Sequence, residues 1–194
     1  MSTLTRALAA AADSLEANSD ELTRLDALQG DGDLGRTAGL IAVALRQAST
    51  DAPDDPVALI RGCGAKVAAM APSSSGTLVA SGFLAAAKAV AEHPEQDPLV
   101  IGLAAGIAGI QHRGKASPGD RTILDALAPA LQQLEIDQQD WQGAAAAAEN
   151  GIDATRTMTA KFGRARFLAG NAAGEPDPGA VMVGLALAAA LRAS

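Results

Sequence analysis

The sequence predicts an all-α fold of antiparallel helices, on three observations. Apolar residues recur at helical spacing, as in Val57, Ile60, Val67 and Met70. An aspartate precedes a proline at three points that read as helix starts, Asp55-Pro56, Asp97-Pro98 and Asp177-Pro178. No segment alternates apolar and polar residues with the period of two that a half-buried strand requires. The core must then be aliphatic, since 48% of the 194 residues are hydrophobic and only 2% are aromatic. Alanine, the best helix former, lets such helices approach closely.

Taken in order, the helices are expected at about 3–18, 20–29, 36–48, 56–70, 76–92, 98–112, 121–134, 138–162 and 178–192. The first two read equally as one bent helix, so eight is as good a count as nine. Helix 36–48 follows a glycine-rich turn. Helices 56–70, 98–112 and 178–192 open on the Asp-Pro pairs, 76–92 on Ser75 as its cap, and 121–134 on Asp120. His112 is placed as a cation at a helix C-terminus, and His93 on the surface. Helices 76–92 and 98–112 are apolar on more than one face, which in a soluble protein means burial on two sides, as in a closed bundle or barrel. Most connections are short. The linkers 111–120 and 169–177 are rich in Gly, Pro and charge. With 30–35 and 72–76 they are expected to gather at one end of an up-and-down bundle. Residues 1–194 read as a single domain without internal repeats.

Composition excludes several functions. A net charge of -7 opposes binding to a nucleic-acid backbone. The absence of Tyr and the single Trp141 argue against a stacking platform for single strands. An acidic protein that binds phosphates needs metal ions to invert the local sign. Cys63, the one cysteine, rules out a disulfide within the chain, fits a reducing compartment and reads as a buried, inert thiol. Arg6 and Asp13 interrupt the N-terminal apolar stretch, so no signal peptide is expected. The runs 99–110 and 180–191 fall short of the roughly 20 residues that cross a bilayer. A cytoplasmic protein without membrane partners is the expectation.

The chemistry concentrates in Gly30-Asp31-Gly32-Asp33-Leu34-Gly35-Arg36-Thr37, with Asp26 just upstream. Carboxylates this close repel one another unless a cation lies between them, and Mg²⁺ takes oxygen ligands in tight geometry with a phosphate as co-ligand. The glycines let a ligand approach the main chain. The stretch also spells GxGxxG, but that fingerprint needs a preceding strand and bare backbone amides, whereas 21–29 reads as helix. A Walker A reading fails on the same grounds, with Arg36 where lysine belongs. An EF-hand begun at Asp31 would need Gly at Arg36 and Glu at Ala42. A plain Asp-Gly turn capping the next helix would explain Asp33 alone. A metal-nucleotide loop, and hence phosphoryl transfer, accounts for all of it.

Four segments, LDALQGDGDLGRT (25–37), PSSSGTL (72–78), GKASPGDRT (114–122) and GRARFLAGNAAGEPDPGA (163–180), resemble in kind, order and spacing the L subunit of the dihydroxyacetone kinases. The resemblance runs from about Leu25 to the C-terminus. It implies an eight-helix antiparallel barrel with the nucleotide, ADP or ATP, at one end. It implies two Mg²⁺ ions on Asp26, Asp31 and Asp33. It places the nucleotide against Leu34, Gly35, Arg36 and Thr37, the turn of Ser74 and Ser75, Gly114, Ile123 beside the base, Arg164, and Asp177, Pro178 and Gly179. Lys115 and Arg121 read either as phosphate-neutralising or as solvated charges, and Asp120 as a cap. The family has a histidine after its third metal aspartate. Leu34 stands there in this chain, so one polar phosphate-side contact is missing.

The same resemblance implies that no catalytic residue for the sugar lies on this chain. A separate K subunit holds dihydroxyacetone, and the L subunit presents the phosphoryl group to it. The donor is either a tightly held ADP recharged by a phosphoprotein of the phosphotransferase system, which a free-standing L chain fits better, or exchangeable ATP. A kinase for another small ketose such as a tetrulose is the nearest enzymatic alternative. A non-catalytic, nucleotide-sensing coregulator is the alternative of another class. Homodimerisation is left open.

Overall fold

The computed structural model describes residues 2–52, 54–167 and 174–194. Among them are nine α-helices: α1 (Thr3–Ala17), α2 (Ser19–Gln29), α3 (Leu34–Asp51), α4 (Pro56–Met70), α5 (Ser74–Glu92), α6 (Pro98–Gly114), α7 (Leu124–Ile136), α8 (Trp141–Ala154) and α9 (Pro178–Arg192). No strand occurs among the described residues. Helices α1, α3, α4, α5, α6, α7, α8 and α9 each pack on the next, and α9 returns to α1, which closes an up-and-down antiparallel ring of eight. The ninth helix, α2, lies mainly on α3 at one end of that ring. The open question at the N-terminus is thereby answered. Asn18 ends α1 by donating its backbone and side-chain amides to the Ser14 carbonyl, and the chain turns into a separate α2.

All three Asp-Pro starts hold. Asp55 accepts from the Ala58 amide at 3.0 Å, Asp97 from Leu99 at 2.8 Å and Asp177 from Ala180 at 2.8 Å. Each satisfies an amide that the first turn leaves without a helical partner.

Among the boundaries that differ from expectation, three have a clear physical cause. Helix α5 starts two residues early, because Ser73 and not Ser75 is its cap, accepting from the Gly76 amide at 3.0 Å. Helix α7 starts at Leu124 rather than 121, because Arg121 adopts a left-handed φ of 59° that no right-handed helix can contain. Helix α8 ends at Ala154, eight residues short of the expected 162, in a 3₁₀ turn over Thr155–Thr157. There the buried Thr155 hydroxyl donates to the Ile152 carbonyl at 2.6 Å and accepts from the Asp177 amide at 2.8 Å. That cross-chain bond turns the chain toward the end of the ring where α9 begins.

Small residues set the helix spacing, as the alanine-rich composition implies. A Cβ on Gly109 would lie 2.6 Å from the Ala85 methyl and 3.0 Å from the Ser81 carbonyl, so α5 and α6 meet nearly backbone to backbone. Pro129 within α7 cannot donate to the Asp125 carbonyl. Gly151 of α8 lies against that freed oxygen, where a Cβ would come within 2.2 Å. The ring interior is aliphatic and encloses an apolar cavity of ≈ 220 Å³ lined by residues such as Leu8, Phe83, Gly102, Ile107 and Leu187. Cys63 is buried, and burial pushes its thiol pKa up to about 12, so the thiolate is suppressed as expected. By length and composition α5 is the one described helix apolar enough to cross a bilayer, a weak sign for a helix held between α4 and α6.

Because the ring runs up and down, alternate helices begin at the same end. The first residues of α3, α5 and α9, together with Thr122 and Ile123 ahead of α7, line one cleft there. Converging helix N-termini give that end a positive backbone potential.

Candidate nucleotide and metal site

The cleft has a volume of ≈ 790 Å³, within the range of small-molecule sites. Its acidic wall is built by α2 and the loop into α3. Asp26 projects from the last turn of α2, and its Oδ2 accepts from the amides of Asp33 at 2.9 Å and Leu34 at 3.3 Å. The carboxylate of α2 thus caps α3. Asp33, in the cap position itself, makes no capping bond, so the plain helix-cap reading of Asp33 does not hold. Gly32 takes φ 74° to complete the turn. One oxygen each from Asp26, Asp31 and Asp33 lies within 4.8 Å of the others. An octahedral Mg²⁺ with bonds of about 2.0–2.1 Å holds opposite ligands about 4.2 Å apart, so this all-oxygen set fits the ion with a small contraction.

The charges around the triad are consistent with a cation site. Burial raises the Asp26 pKa, helped by the Asp31 and Asp33 charges and opposed by the two amides. The Arg164 guanidinium, in ion contact with Asp31, holds that carboxyl below its ordinary value. Arg164 follows Gly163, at φ 68°, in a loop tied down by Lys161. Lys161 Nζ lies 2.6 Å from Asp120 Oδ1, and its amide donates to the Asp120 carbonyl at 3.2 Å. Asp120 also accepts from the Ser117 amide at 2.8 Å, so it organises two loops and caps no helix. Asp125 does the same from within α7, accepting from the Thr122 amide at 2.6 Å and from the Gly119 amide.

The turn into α5 forms another part of the wall. A Cβ on Gly76 would fall 1.9 Å from the Ala71 carbonyl, so only glycine lets the chain fold back before α5. With Ser73 spent on capping and bonded by the Thr37 hydroxyl at 3.3 Å, Ser74 and Ser75 are the first two residues of α5. Both line the cleft. Arg36 lines it too, exposed at the first turn of α3. Leu40, Leu78 and Ile123 supply an apolar wall, with Ile123 against Gly179. Asp177, Pro178 and Gly179 close the far side at the start of α9.

Of the candidates read from the sequence, Asp26, Asp31, Asp33, Arg36, Thr37, Ser74, Ser75, Ile123, Arg164, Asp177, Pro178 and Gly179 share this one cleft. Three are placed differently. Gly35 does not line it; a Cβ there would meet the Ser19 carbonyl at 2.1 Å, so Gly35 serves the α2–α3 contact. Gly114 lies one layer back, behind Leu78. Leu34 reaches the cleft, but it is only 5% exposed and belongs to the main core cluster with Leu22, Leu25 and Ile41. Its backbone amide, bonded to Asp26, is what it gives the site.

The sequence reading missed Gln29, Ser73, Phe162 and Arg166, which line the cleft. It left Arg121 undecided between phosphate and solvent. Arg121 is 9% exposed, so it is not a solvated charge. The signal was the Gly-Asp-Arg turn, where a charged residue follows two turn formers.

Asp177 yields a pH test. Burial pushes its carboxyl up to about 6, against the Ala180 amide and the Arg121 charge, and Asp125 adds to the rise. The folded state therefore binds a proton that the unfolded chain, at about 3.9, does not hold. Stability from this residue is present at low pH and is lost as pH rises through about 6. Asp177→Asn keeps a capping oxygen without the charge. Its melting temperature relative to the wild type is expected to be higher at pH 8 than at pH 5. A difference that does not vary with pH would contradict a carboxylate desolvated at this half-buried position.

Comparison with known proteins bears on the family and the fold. Residues 28–192 match the model of the DAK2 domain. The chain is 32% identical over 192 residues to a D-erythrulose kinase of Mycolicibacterium smegmatis, covering 93% of this chain and 33% of the relative. It is 34% identical over 193 residues to an L-erythrulose kinase of Pectobacterium atrosepticum, covering 93% and 33%. It is 33% identical over 187 residues to the triokinase/FMN cyclase of Homo sapiens, covering 90% and 31%. This chain thus spans about a third of the length of these relatives. The dihydroxyacetone kinase of C. freundii superposes with a TM-score of 0.82 at 27% identity in its native form, over 100% of this chain and 35% of that one. Its complex with AMP-PNP and Mg²⁺ superposes with a TM-score of 0.82 at 26% identity, over 98% and 34%. On the family model, on relatives named as kinases and on the shared fold, this chain belongs to the DAK2 domain family of the dihydroxyacetone and erythrulose kinases.

Proposed function

We propose that this chain is the nucleotide-binding subunit of a small-ketose kinase. It would present the terminal phosphoryl group of a Mg²⁺-bound nucleotide to a ketose held on a separate K-type subunit. One observation carries the reading: three carboxylates within 4.8 Å face a cleft into which the N-termini of α3, α5 and α9 converge. Divalent cations on Asp26, Asp31 and Asp33 would neutralise the phosphates and the charge that develops on transfer.

The chain's own residues do the rest. The amides and hydroxyls of Ser74 and Ser75 face the phosphates at the start of α5. Arg36 offers a fixed positive charge at the start of α3, and Leu40, Leu78 and Ile123 take the apolar face of the base. Arg164 holds one oxygen of Asp31 in this structure, which leaves the other for a cation. Its fixed charge at the cleft would also attract the phosphates.

Two finer points are proposed on separate grounds. The AMP-PNP complex of the structural relative favours ATP as the donor, and ADP recharged by a phosphotransferase-system phosphoprotein is the second reading. The relatives named as erythrulose kinases favour a tetrulose beside dihydroxyacetone as the ketose.

The test combines this chain with a K-type subunit, Mg²⁺ and either donor, on dihydroxyacetone and on erythrulose. Phosphorylated ketose is expected only when both subunits are present. Product from this chain alone would overturn the two-subunit reading. Tight nucleotide binding without transfer to any K-type partner would point instead to a coregulator.

A further inference from the structure

The short segment Gly174–Asp177, which leads into α9, is held by side chains from three other parts of the fold. Arg156 donates to the Gly174 carbonyl at 3.1 Å. Arg121 Nη2 donates to the Glu175 carbonyl at 2.8 Å, and Gln29 Nε2 to the Pro176 carbonyl at 3.0 Å. Thr155 accepts from the Asp177 amide at 2.8 Å, and both Glu175 oxygens meet Arg24 at 3.2 Å. Each residue of the segment is pinned, and the next two residues are Pro178 and Gly179 of the cleft wall.

These bonds are not equivalent. The Arg24 and Arg156 contacts lie on half-exposed side chains, where water and salt weaken them. Gln29 is 2% exposed and Arg121 9%, so their bonds are shielded. Both residues line the cleft. Gln29 is also the residue directly before Gly30 and Asp31, which ties the start of the metal loop to the start of α9.

A brace selected for stability alone would be built differently. Gln29 Oε1 and Arg121 Nε are buried and have no hydrogen-bond partner among the described residues, so each is desolvated without a return from them. Arg121 also holds a left-handed φ of 59°, disfavoured for a residue with a side chain. Apolar residues would avoid the first two costs, and glycine at position 121 the third.

We infer that Gln29 and Arg121 are positioning residues for the nucleotide: they fix the Glu175 and Pro176 carbonyls, and so hold the Asp177-Pro178-Gly179 turn in register with the metal loop. The inference rests on the nucleotide-site reading above. They act through the turn and need not touch the nucleotide themselves.

A double-mutant cycle tests this. Gln29→Met and Arg121→Met are made alone and in the Asp177→Asn background, and ADP affinity in Mg²⁺ is measured by calorimetry beside the melting temperature. Each Met variant is expected to weaken ADP by about tenfold, the loss of one buried hydrogen bond's worth of alignment. With Asp177 already replaced, the further loss should fall below about twofold, because the carboxylate that the aligned turn presents to the site is gone. A purely structural brace would lower the melting temperature and leave affinity unchanged, or lower it by the same factor in both backgrounds. Either result overturns the inference, and Arg121→Met carries the test if Gln29→Met does not fold. If Asp31→Asn abolishes binding while Asp177→Asn has no effect, the turn is not at the nucleotide and the inference falls alone. If neither affects binding, the nucleotide-site reading falls with it.

Discussion

Asp31→Asn is expected to abolish Mg²⁺-dependent nucleotide binding, with a loss of ADP affinity on the order of 100-fold or more, and to leave helical content unchanged. Asp31 contributes one oxygen to the triad within 4.8 Å, and its carboxylate is half-exposed, so the fold does not lean on it. The amide keeps the shape but removes a unit of negative charge and one hard ligand. Its neighbours cannot replace it. Asp26 is held by the amides of Asp33 and Leu34, and octahedral geometry tolerates little rearrangement. The ion contact with Arg164 is also lost, but an exposed pair contributes little to folding. The result should therefore be selective, with binding gone and the melting temperature nearly unmoved. Equal ADP affinity for wild type and variant, by calorimetry in Mg²⁺, would sink the metal assignment.

The second large effect is expected in the fold. Leu34 stands where the resemblance to the L subunits implies histidine, and Leu34→His would supply a phosphate-side donor if the side chain faced the cleft. The structure places that side chain in the core, 5% exposed beside Leu22, Leu25 and Ile41. The variant then loses apolar burial and buries a polar ring without an evident partner, a cost of about 2–4 kcal/mol. At this chain length that lowers the melting temperature by roughly 10 °C. ADP affinity should not improve. A gain in affinity with an unchanged melting temperature would show that position 34 points at the phosphates.

These two residues illustrate how far the sequence could be read. The clustering of Asp26, Asp31 and Asp33 at one cleft was legible because acids and glycines crowded into one turn have few physical uses. Leu34, one residue further, was legible as a departure from the family but not as a core residue. Which way a side chain points depends on how α3 is rotated, and that is set by the contact of Gly35 with α2. Ser74 and Ser75 were found as a pair, while the capping role fell to Ser73. The choice among three serines turns on the approach of Gly76 to the Ala71 carbonyl, which composition does not encode.

The helices themselves were fixed by local chemistry: periodicity, the Asp-Pro starts, and an alanine-rich composition that favours helix. The all-α class and the acidic loop follow from residues that are neighbours in the chain. Tertiary structure decided where neighbours in space differ from neighbours in sequence. It ended α8 at Ala154, where Thr155 bonds Asp177, 22 residues further on. It put Arg121 in a left-handed turn inside the cleft and joined Gln29 to Pro176 across 147 residues. It also set the N-termini of alternate helices around one opening, because a ring of up-and-down helices must return to the same end every second element. A short-range pattern specifies an element and its ends; the closing of the ring specifies which of those ends become a site.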